Sequence, residues 1–171
     1  MIDEGAYGVV YRARDKSSGS VYAIKKVKLE PQHEKEGFPI SALRELNTLI
    51  NLAHPNIIDV KEVVFGSTLK KVFVVMEYCD HELKSILEDR KLNFSHGQLK
   101  TMMKQLLEAV DYMHKAHVMH RDLKTSNLLY SNEGILKVCD FGLARSFSKK
   151  RHYTNWVVTM WYRAPELLLG C

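Results

Sequence analysis

The sequence lacks several features that would assign it to whole classes of protein. Its apolar runs stay far below the roughly 20 residues that a membrane-spanning helix needs, and its first residues show neither segment of a signal peptide. It has three cysteines, none in a closely spaced pair, and none of its eight histidines has zinc-ligand spacing. These absences predict a soluble intracellular protein in a reducing compartment, with no disulfide framework, no zinc site and no membrane partner.

Internal repeats, low-complexity tracts and interdomain linkers are also missing. The hydrophobic fraction of 46% and the charged fraction of 26% are ordinary for a soluble globular protein. The net charge is +5, and its one tight cluster is Lys149-Lys150-Arg151. This cluster fits a nucleic-acid patch, a nuclear signal or a solvated basic loop. Because no aromatic residues interleave to stack bases, the solvated loop is favoured and no direct nucleic-acid contact is expected.

The chain is rich in β-branched and aromatic runs up to Tyr78 and in helical patterns after it. Asp80 is expected to cap a short helix, and Ser95 with Gln98 forms a capping-box pattern before a long one. The fold class predicted is therefore α+β, with a sheet-rich first part and a helical second part. Predicted strands are Val9–Tyr11, Val21–Ile24, Ile57–Val60, Val63–Phe65 and Val72–Met76; the core face of the long helix is Leu99, Met102, Leu106, Val110 and Met113.

Five short motifs follow one another in a fixed order, and together they resemble a protein kinase. The resemblance covers almost all of the chain and implies a bilobal fold, with a first lobe over residues 1–76, a hinge over 77–79 and a second lobe over 80–171. Part of the first strand and the later helices of the second lobe are expected to be missing from the chain. The motifs are Gly5-Ala6-Tyr7-Gly8, Ala23-Ile24-Lys25, His120-Arg121-Asp122-Leu123-Lys124-Thr125-Ser126-Asn127, Asp140-Phe141-Gly142 and Ala164-Pro165-Glu166.

The resemblance implies a catalytic set for phosphoryl transfer. Asp122 would orient the substrate hydroxyl as catalytic base, Lys124 would meet the γ-phosphate, and Thr159 would support both. Lys25 lies in an apolar strand, where an unpaired ammonium is costly, so it needs an anion unless it extends from a strand edge into solvent. The family supplies two anions, the α/β-phosphates of ATP and a helix glutamate, which is Glu45 here.

The nucleotide and metal sites follow from the same resemblance. The glycine pair alone would suit an ordinary hairpin, but with Lys25 after it a phosphate-covering loop is the better interpretation. Asn127 and Asp140 offer the oxygen ligands that Mg²⁺ prefers. The residues expected around ATP are Ile2, Gly5, Gly8, Val10, Ala23, Lys25, Met76, Glu77, Cys79 and Leu129.

The segment Gly37–Glu45 resembles the cyclin-contacting helix of cyclin-dependent kinases, closest to the PITSLRE-type subgroup. A generic amphipathic helix would not require this sequence, so a cyclin partner is expected there. Thr154 matches the activating phosphosite, although an unmodified surface threonine is the alternative, and Tyr7 matches an inhibitory site whose usual neighbouring threonine is Ala6. Val157–Trp161 resembles the segment that accepts proline after the target residue. The expected phosphate-binding residues are Arg44, Arg121 and Arg145.

The function predicted is ATP-dependent, proline-directed phosphorylation of Ser/Thr in protein substrates, activated by a cyclin and by phosphorylation of Thr154. The alternative is a short product that binds cyclin or nucleotide without catalysing transfer. Because the resembling domain continues into further helices, the isolated chain is expected to be marginally stable and to have little activity. The family implies residence in the nucleus, the cytoplasm or both.

Overall fold

The computed structural model describes residues 3–5, 8–27, 47–66, 71–89, 92–147, 153–154 and 157–170. The chain divides into two compact units, one made of residues 1–53 with 58–79 and the other of residues 54–57 with 80–171. Within the described residues, no helix is long and apolar enough to cross a membrane.

The first unit contains a five-stranded antiparallel sheet in the order β1-β2-β3-β5-β4. Residues 47–50 of this unit are helical, and the buried Leu49 and Leu52 lie at and just beyond that turn. The valines of β5 are buried where the central strands need apolar cover. The strands are β1 (Asp3–Gly5), β2 (Gly8–Arg14), β3 (Val21–Val27), β4 (Val60–Phe65) and β5 (Val72–Glu77).

The turn between β2 and β3 is built around the side chain of Asp15. Its carboxylate accepts hydrogen bonds from the Ser17 backbone N–H at 3.0 Å and from the hydroxyls of Ser17 and Ser18 at 2.7–3.0 Å. Gly19 has a φ of 73°, a left-handed conformation that glycine adopts without strain. The serines and the glycine therefore close the hairpin through contacts within five residues.

The second unit is helical with short strand pairs. The long helix α2 (His96–Lys115) dominates it. The N-cap of this helix is Ser95, whose side chain accepts from the Gln98 N–H while the Gln98 side chain accepts from the Ser95 N–H. The predicted capping box is therefore confirmed. The unit's elements are β6 (His81–Glu82), α1 (Leu83–Glu88), α2 (His96–Lys115), β7 (Val118–Met119), β8 (Leu128–Tyr130), β9 (Leu136–Val138), β10 (Arg145–Ser146), α3 (Pro165–Leu169) and 3-10 turns at Thr125–Asn127 and Met160–Tyr162.

Two predictions about where elements begin differ from the structure. Ile57 does not enter β4 but forms an isolated parallel bridge with Val138 of the second unit, and β4 begins at Val60. Asp80 does not cap α1, whose N-cap is Glu82; instead its carboxylate accepts from the Asn132 N–H at 3.0 Å. The β6 strand occupies the intervening residues, so the capping position moves past Asp80.

The core face of α2 is also rotated from the predicted one. Met102 and Met113 are buried as expected, but Leu99 is 46% exposed and Ala109 is fully buried. A helix packs its smaller residues where the neighbouring strands come closest, and α2 lies against β7 and β9. The broad separation into a β-rich first part and a helical second part is confirmed.

Candidate active site

The loop after β7 is ordered by the ring of His120, which is 3% exposed. Its Nδ1 accepts from the Asp122 N–H at 3.2 Å, and its Nε2 lies 3.0 Å from the Cys139 carbonyl oxygen. Phe141 packs edge-on against the same ring at a centroid distance of 4.8 Å. Burial is the main cause that lowers the pKa of His120 from 6.5, which keeps the ring neutral and able to accept. His120 therefore orders this loop through its hydrogen bonds and its packing against Phe141.

The carboxylate of Asp122 is the centre of the site and is 5% exposed. One oxygen, Oδ1, accepts from the Thr159 N–H at 3.1 Å and from the Thr159 hydroxyl at 3.0 Å. The other, Oδ2, lies 3.0 Å from Lys124 Nζ and accepts from Asn127 Nδ2 at 3.0 Å. Lys124 also donates to the Thr159 hydroxyl at 3.1 Å. The loop of residues 122–127 and the distant segment that carries Thr159 thus meet at one carboxylate.

This environment keeps Asp122 ionised. Burial is the largest single contribution and opposes ionisation, but the hydrogen bonds from Lys124 and Thr159 and the charge of Lys124 together outweigh it. The pKa of Asp122 is therefore held below its usual value of 3.8. At neutral pH the site presents a buried, oriented carboxylate next to an ammonium group.

Asn127 and Asp140 are tied together through the backbone. The Cys139 N–H donates to the Asn127 carbonyl at 3.0 Å, and Asp140 follows directly with a φ of 59°. Asn127 Nδ2 donates to the backbone carbonyl of Asp122 at 2.7 Å and to its carboxylate at 3.0 Å. The amide oxygen of Asn127 is therefore directed away from Asp122. An amide oxygen and a carboxylate are hard ligands of the type that Mg²⁺ uses beside substrate phosphates and water. The donor set therefore fits Mg²⁺.

Two of the three predicted phosphate-binding arginines lie near one another. Arg121 has a φ of 68° and donates through Nε to the Leu143 carbonyl at 2.8 Å, while Arg145 donates to the Ala144 carbonyl at 2.8 Å. Burial lowers the pKa of Arg121, and the positive charge of Arg145 lowers it further. Thr154 is exposed. The like charges of the two arginines make the region favourable for an anion.

The segment before Thr159 carries a constraint that the sequence alone did not reveal. Val158 has a φ of 65°, which is strained for a β-branched residue. Arg163 donates to the carbonyls on either side, through Nε to Val157 at 3.0 Å and through Nη2 to Val158 at 3.0 Å. The Val158 carbonyl is therefore turned toward Arg163. Arg163 directly precedes the Ala164-Pro165-Glu166 motif, but no local pattern in the sequence predicts its bonds to the carbonyls of Val157 and Val158.

The first unit holds the other described candidates on its sheet. Lys25 of β3 is half-buried and lies opposite Val10 of β2 and Val74 of β5. Ala23 lies opposite Met76, and the Glu77 N–H at the end of β5 donates to the Asp59 carbonyl at 3.0 Å. Gly5 and Gly8 face each other at the end of the β1–β2 pair. Cys79 follows β5 and is half-buried, and Leu129 lies half-buried in β8 of the second unit.

Several predicted residues lie outside the described residues, so their placement stays a prediction. Among them is the whole predicted cyclin-binding segment, Gly37–Glu45. That segment contains the predicted site residues Arg44 and Glu45. Ile2 and Tyr7 also lie outside the described residues.

Sequence reasoning missed two residues, Asn56 and Gln105, whose side-chain amides bond to β9, the strand that precedes Asp140. Asn56 is 5% exposed and binds Gln105 of α2 and the backbone of β9. The turn-forming pair Pro55-Asn56 was a visible signal for a loop, but nothing local predicts partners 49 and 80 residues away.

Comparison with known proteins places these features in a family context. A model of the protein kinase domain matches residues 1–171. The chain is 58% identical over 170 residues to cyclin-dependent kinase G-2 of Oryza sativa subsp. indica, covering 99% of the chain and 24% of that relative. It is 56% identical over 172 residues to the Drosophila melanogaster serine/threonine-protein kinase PITSLRE, covering 98% of the chain and 18% of the relative.

A solved structure agrees with the sequence matches. The crystal structure of the yeast RNA Pol II CTD kinase CTDK-1 complex matches with a TM-score of 0.88 and 42% identity, covering 95% of the chain and 51% of the matched chain. The chain spans a quarter or less of the length of the two curated relatives.

Proposed function

The chain belongs to the protein kinase domain family, and we propose that it transfers the γ-phosphoryl group of ATP to serine and threonine hydroxyls of protein substrates. The predicted resemblance to PITSLRE-type cyclin-dependent kinases is confirmed by relatives at 56–58% identity over nearly the whole chain. The observation that carries the proposal is the buried Asp122 carboxylate held by Thr159, Lys124 and Asn127.

The chemistry asks mainly for positioning and charge stabilisation, because phosphoryl transfer needs little covalent work from the protein. Thr159 holds Oδ1 of Asp122 with two hydrogen bonds, so the carboxylate has one fixed orientation from which to accept a hydrogen bond from the substrate hydroxyl. Its low pKa keeps it able to accept that proton as the hydroxyl attacks. Lys124 places a positive charge at the same point, where charge develops on the transferred phosphoryl group.

Asn127 and Asp140 would hold Mg²⁺, which would supply positive charge to neutralise the phosphates of ATP. Lys25 in the central part of the sheet would contact the α/β-phosphates. The opposed glycines of β1 and β2 leave room for backbone N–H groups to approach phosphate oxygens. These assignments rest on the donor types and on the family resemblance.

The strained segment at Val158 supports a proline-directed specificity. A substrate residue that follows the target and carries an N–H must find an acceptor for it. The Val158 carbonyl already accepts from Arg163 and is turned to that side chain. Proline has no N–H, so it alone meets this surface without leaving a donor unsatisfied.

Regulation by a cyclin and by phosphorylation of Thr154 is the finer part of the proposal. The rice relative is named a cyclin-dependent kinase, and the segment Gly37–Glu45 carries the sequence expected to contact a cyclin. Arg121 and Arg145 supply paired positive charge for a phosphate on Thr154, with Arg44 as the predicted third partner. Residence in the nucleus or cytoplasm is proposed from the family alone.

The test is transfer of labelled phosphate from MgATP to Ser/Thr peptides by the full chain, alone and with a panel of recombinant cyclins. Asp122→Asn is isosteric and is expected to lower the rate by about 10²–10⁴-fold. Asp111→Asn is the matched control, because Asp111 is an exposed aspartate of α2 whose carboxylate pairs with Lys115. Nucleotide or cyclin binding without transfer under every condition would contradict the kinase proposal and favour a non-catalytic binding role.

A further inference from the structure

The side chain of Gln105 is a polar exception on the inner side of α2, where Met102, Ala109 and Met113 are buried. Its Oε1 accepts from the Leu136 N–H at 2.7 Å and from Asn56 Nδ2 at 2.7 Å. Its Nε2 donates to the Gly134 carbonyl at 3.0 Å. One amide therefore fixes the helix to the turn of the β8–β9 hairpin and to Leu136, the first residue of β9.

Asn56 completes the attachment from another segment. Its Nδ2 also donates to the Leu136 carbonyl at 2.8 Å, and its backbone carbonyl accepts from the Val138 N–H at 2.9 Å. On its opposite edge β9 pairs with β8, Leu136 with Tyr130 and Val138 with Leu128. Both edges of β9 are thus bonded, and its Leu136 and Val138 side chains are 1% and 0% exposed. A strand held in this way has a single register.

The residues that follow β9 are those of the proposed metal site. The Cys139 N–H donates to the Asn127 carbonyl, and the Cys139 carbonyl oxygen lies 3.0 Å from Nε2 of His120. Asp140 comes next, in a left-handed conformation with a φ of 59°. A slip or tilt of β9 would therefore displace the Asp140 carboxylate relative to Asn127.

We propose that Gln105 and Asn56 are positioning residues for the metal ligand Asp140, acting by fixing the register of β9. The proposal rests on the proposed function, since it takes Asn127 and Asp140 as the metal ligands. Neither amide takes part in the chemistry. Buried amides are costly unless bonded, and a network of this kind specifies one geometry.

The test measures Mn²⁺ binding to the full chain in the presence of ADP, with free Mn²⁺ followed by electron paramagnetic resonance. Gln105→Met, close in shape but unable to bond β9, is expected to weaken Mn²⁺ binding about tenfold, the lower end for changes behind a metal ligand. Gln105→Glu keeps both acceptor contacts and loses the donation to Gly134, so it is expected to weaken binding by only about threefold. If Gln105→Met fails to fold, the Mn²⁺ affinity of Gln105→Glu decides the test.

Two controls separate positioning from general stability. Gln98→Met removes the capping bond of α2 without touching β9, so it should lower Tm and leave the Mn²⁺ affinity unchanged. Equal affinities for wild type and the Gln105 variants, or an equal loss in Gln98→Met, would overturn the proposal.

The variant Asp140→Asn tests the assignment of the metal site separately from the positioning role of Gln105 and Asn56. If Asp140→Asn weakens Mn²⁺ binding and Gln105→Met does not, the positioning role alone is wrong. If Asp140→Asn has no effect, the assigned metal site fails, and the positioning role fails with it.

Discussion

Two aspartates of this chain are held by similar hydrogen bonds but build different kinds of structure. Asp15 accepts from Ser17 and Ser18, two and three residues away, at an exposed turn. Asp122 accepts from Asn127 and Thr159, five and 37 residues away, and is buried. Both pKa values are lowered, that of Asp15 to about 2 by the Ser17 N–H and the serine hydroxyls.

The difference lies in the range of the contacts rather than in their number. Local bonds to an exposed carboxylate close a turn, and water can replace each of them. At the buried carboxylate of Asp122, two bonds from Thr159, 37 residues away, add to the nearer contacts with Lys124 and Asn127. Together they fix one orientation that water cannot reproduce, which is the condition for catalysis by positioning. The same residue type therefore stabilises a hairpin in one place and, in the function proposed above, acts as the catalytic base in the other.

The largest effect should come from breaking the longest of these contacts. Thr159→Val removes the hydroxyl that binds Asp122 Oδ1 and accepts from Lys124, and we expect kcat for peptide phosphorylation to fall about 10²-fold through misplacement of the carboxylate. Steady-state kinetics with MgATP would measure it. Thr159→Ser keeps the hydroxyl and is expected to retain most activity. A kcat equal to wild type in Thr159→Val would show that this contact is not needed.

A contact of intermediate range tests specificity. Arg163 binds the carbonyls of Val157 and Val158, six and five residues away. Arg163→Met frees the Val158 carbonyl to accept an N–H, so we expect the kcat/KM preference for a Ser-Pro over a Ser-Ala peptide to fall about tenfold, as for one unsatisfied donor. Paired peptides would measure the ratio. Lys104→Met is a control at an exposed cation of α2, and an unchanged ratio in Arg163→Met would remove the specificity argument.

The contrast between local and long-range contacts also explains how much the sequence could predict. The Ser95–Gln98 capping box and the strands around Lys25 depend on neighbours within a few residues, and they were predicted correctly. Motif spacing predicted the family, because the kinase pattern is an ordered set of short segments. Catalytic roles such as that of Asp122 came with that resemblance and await the kinetic tests above.

Failures occurred where a residue's partner is remote or where packing overrides the local pattern. Ile57 continues an apolar run yet pairs with Val138, and the capping tendency of Asp80 is lost to a bond with Asn132. The Gln105 network belongs to the same class. No neighbouring residue specifies these contacts, since they form only when segments dozens of residues apart pack together.

The buried ring of His120 should make the stability of the folded state depend on pH. Burial lowers its pKa below 6.5, so the folded state holds it neutral while the unfolded state takes up a proton. Its stabilising contribution is complete above pH 6.5 and is lost as pH falls from 6.5 through the folded pKa. We expect His120→Asn to lose less Tm than wild type between pH 7.5 and 5.5, measured by circular dichroism. The remaining histidines are common to both proteins, so identical losses would contradict a buried neutral His120.

The smallest effect is expected at the exposed turn. Ser18→Ala removes a hydroxyl donor to Asp15, as Thr159→Val does for Asp122, but water can take its place. We expect kcat to stay at the wild-type value and Tm to fall by no more than about 2 °C. The pKa of Asp15 is lowered from 3.8 to about 2, so its contribution is complete above pH 3.8 and is lost as pH falls through about 2. The small Tm difference between wild type and Ser18→Ala should therefore persist from pH 8 to pH 5. A loss of activity in Ser18→Ala comparable to that in Thr159→Val would mean that this turn is coupled to the reaction, and that contact range does not separate the two aspartates.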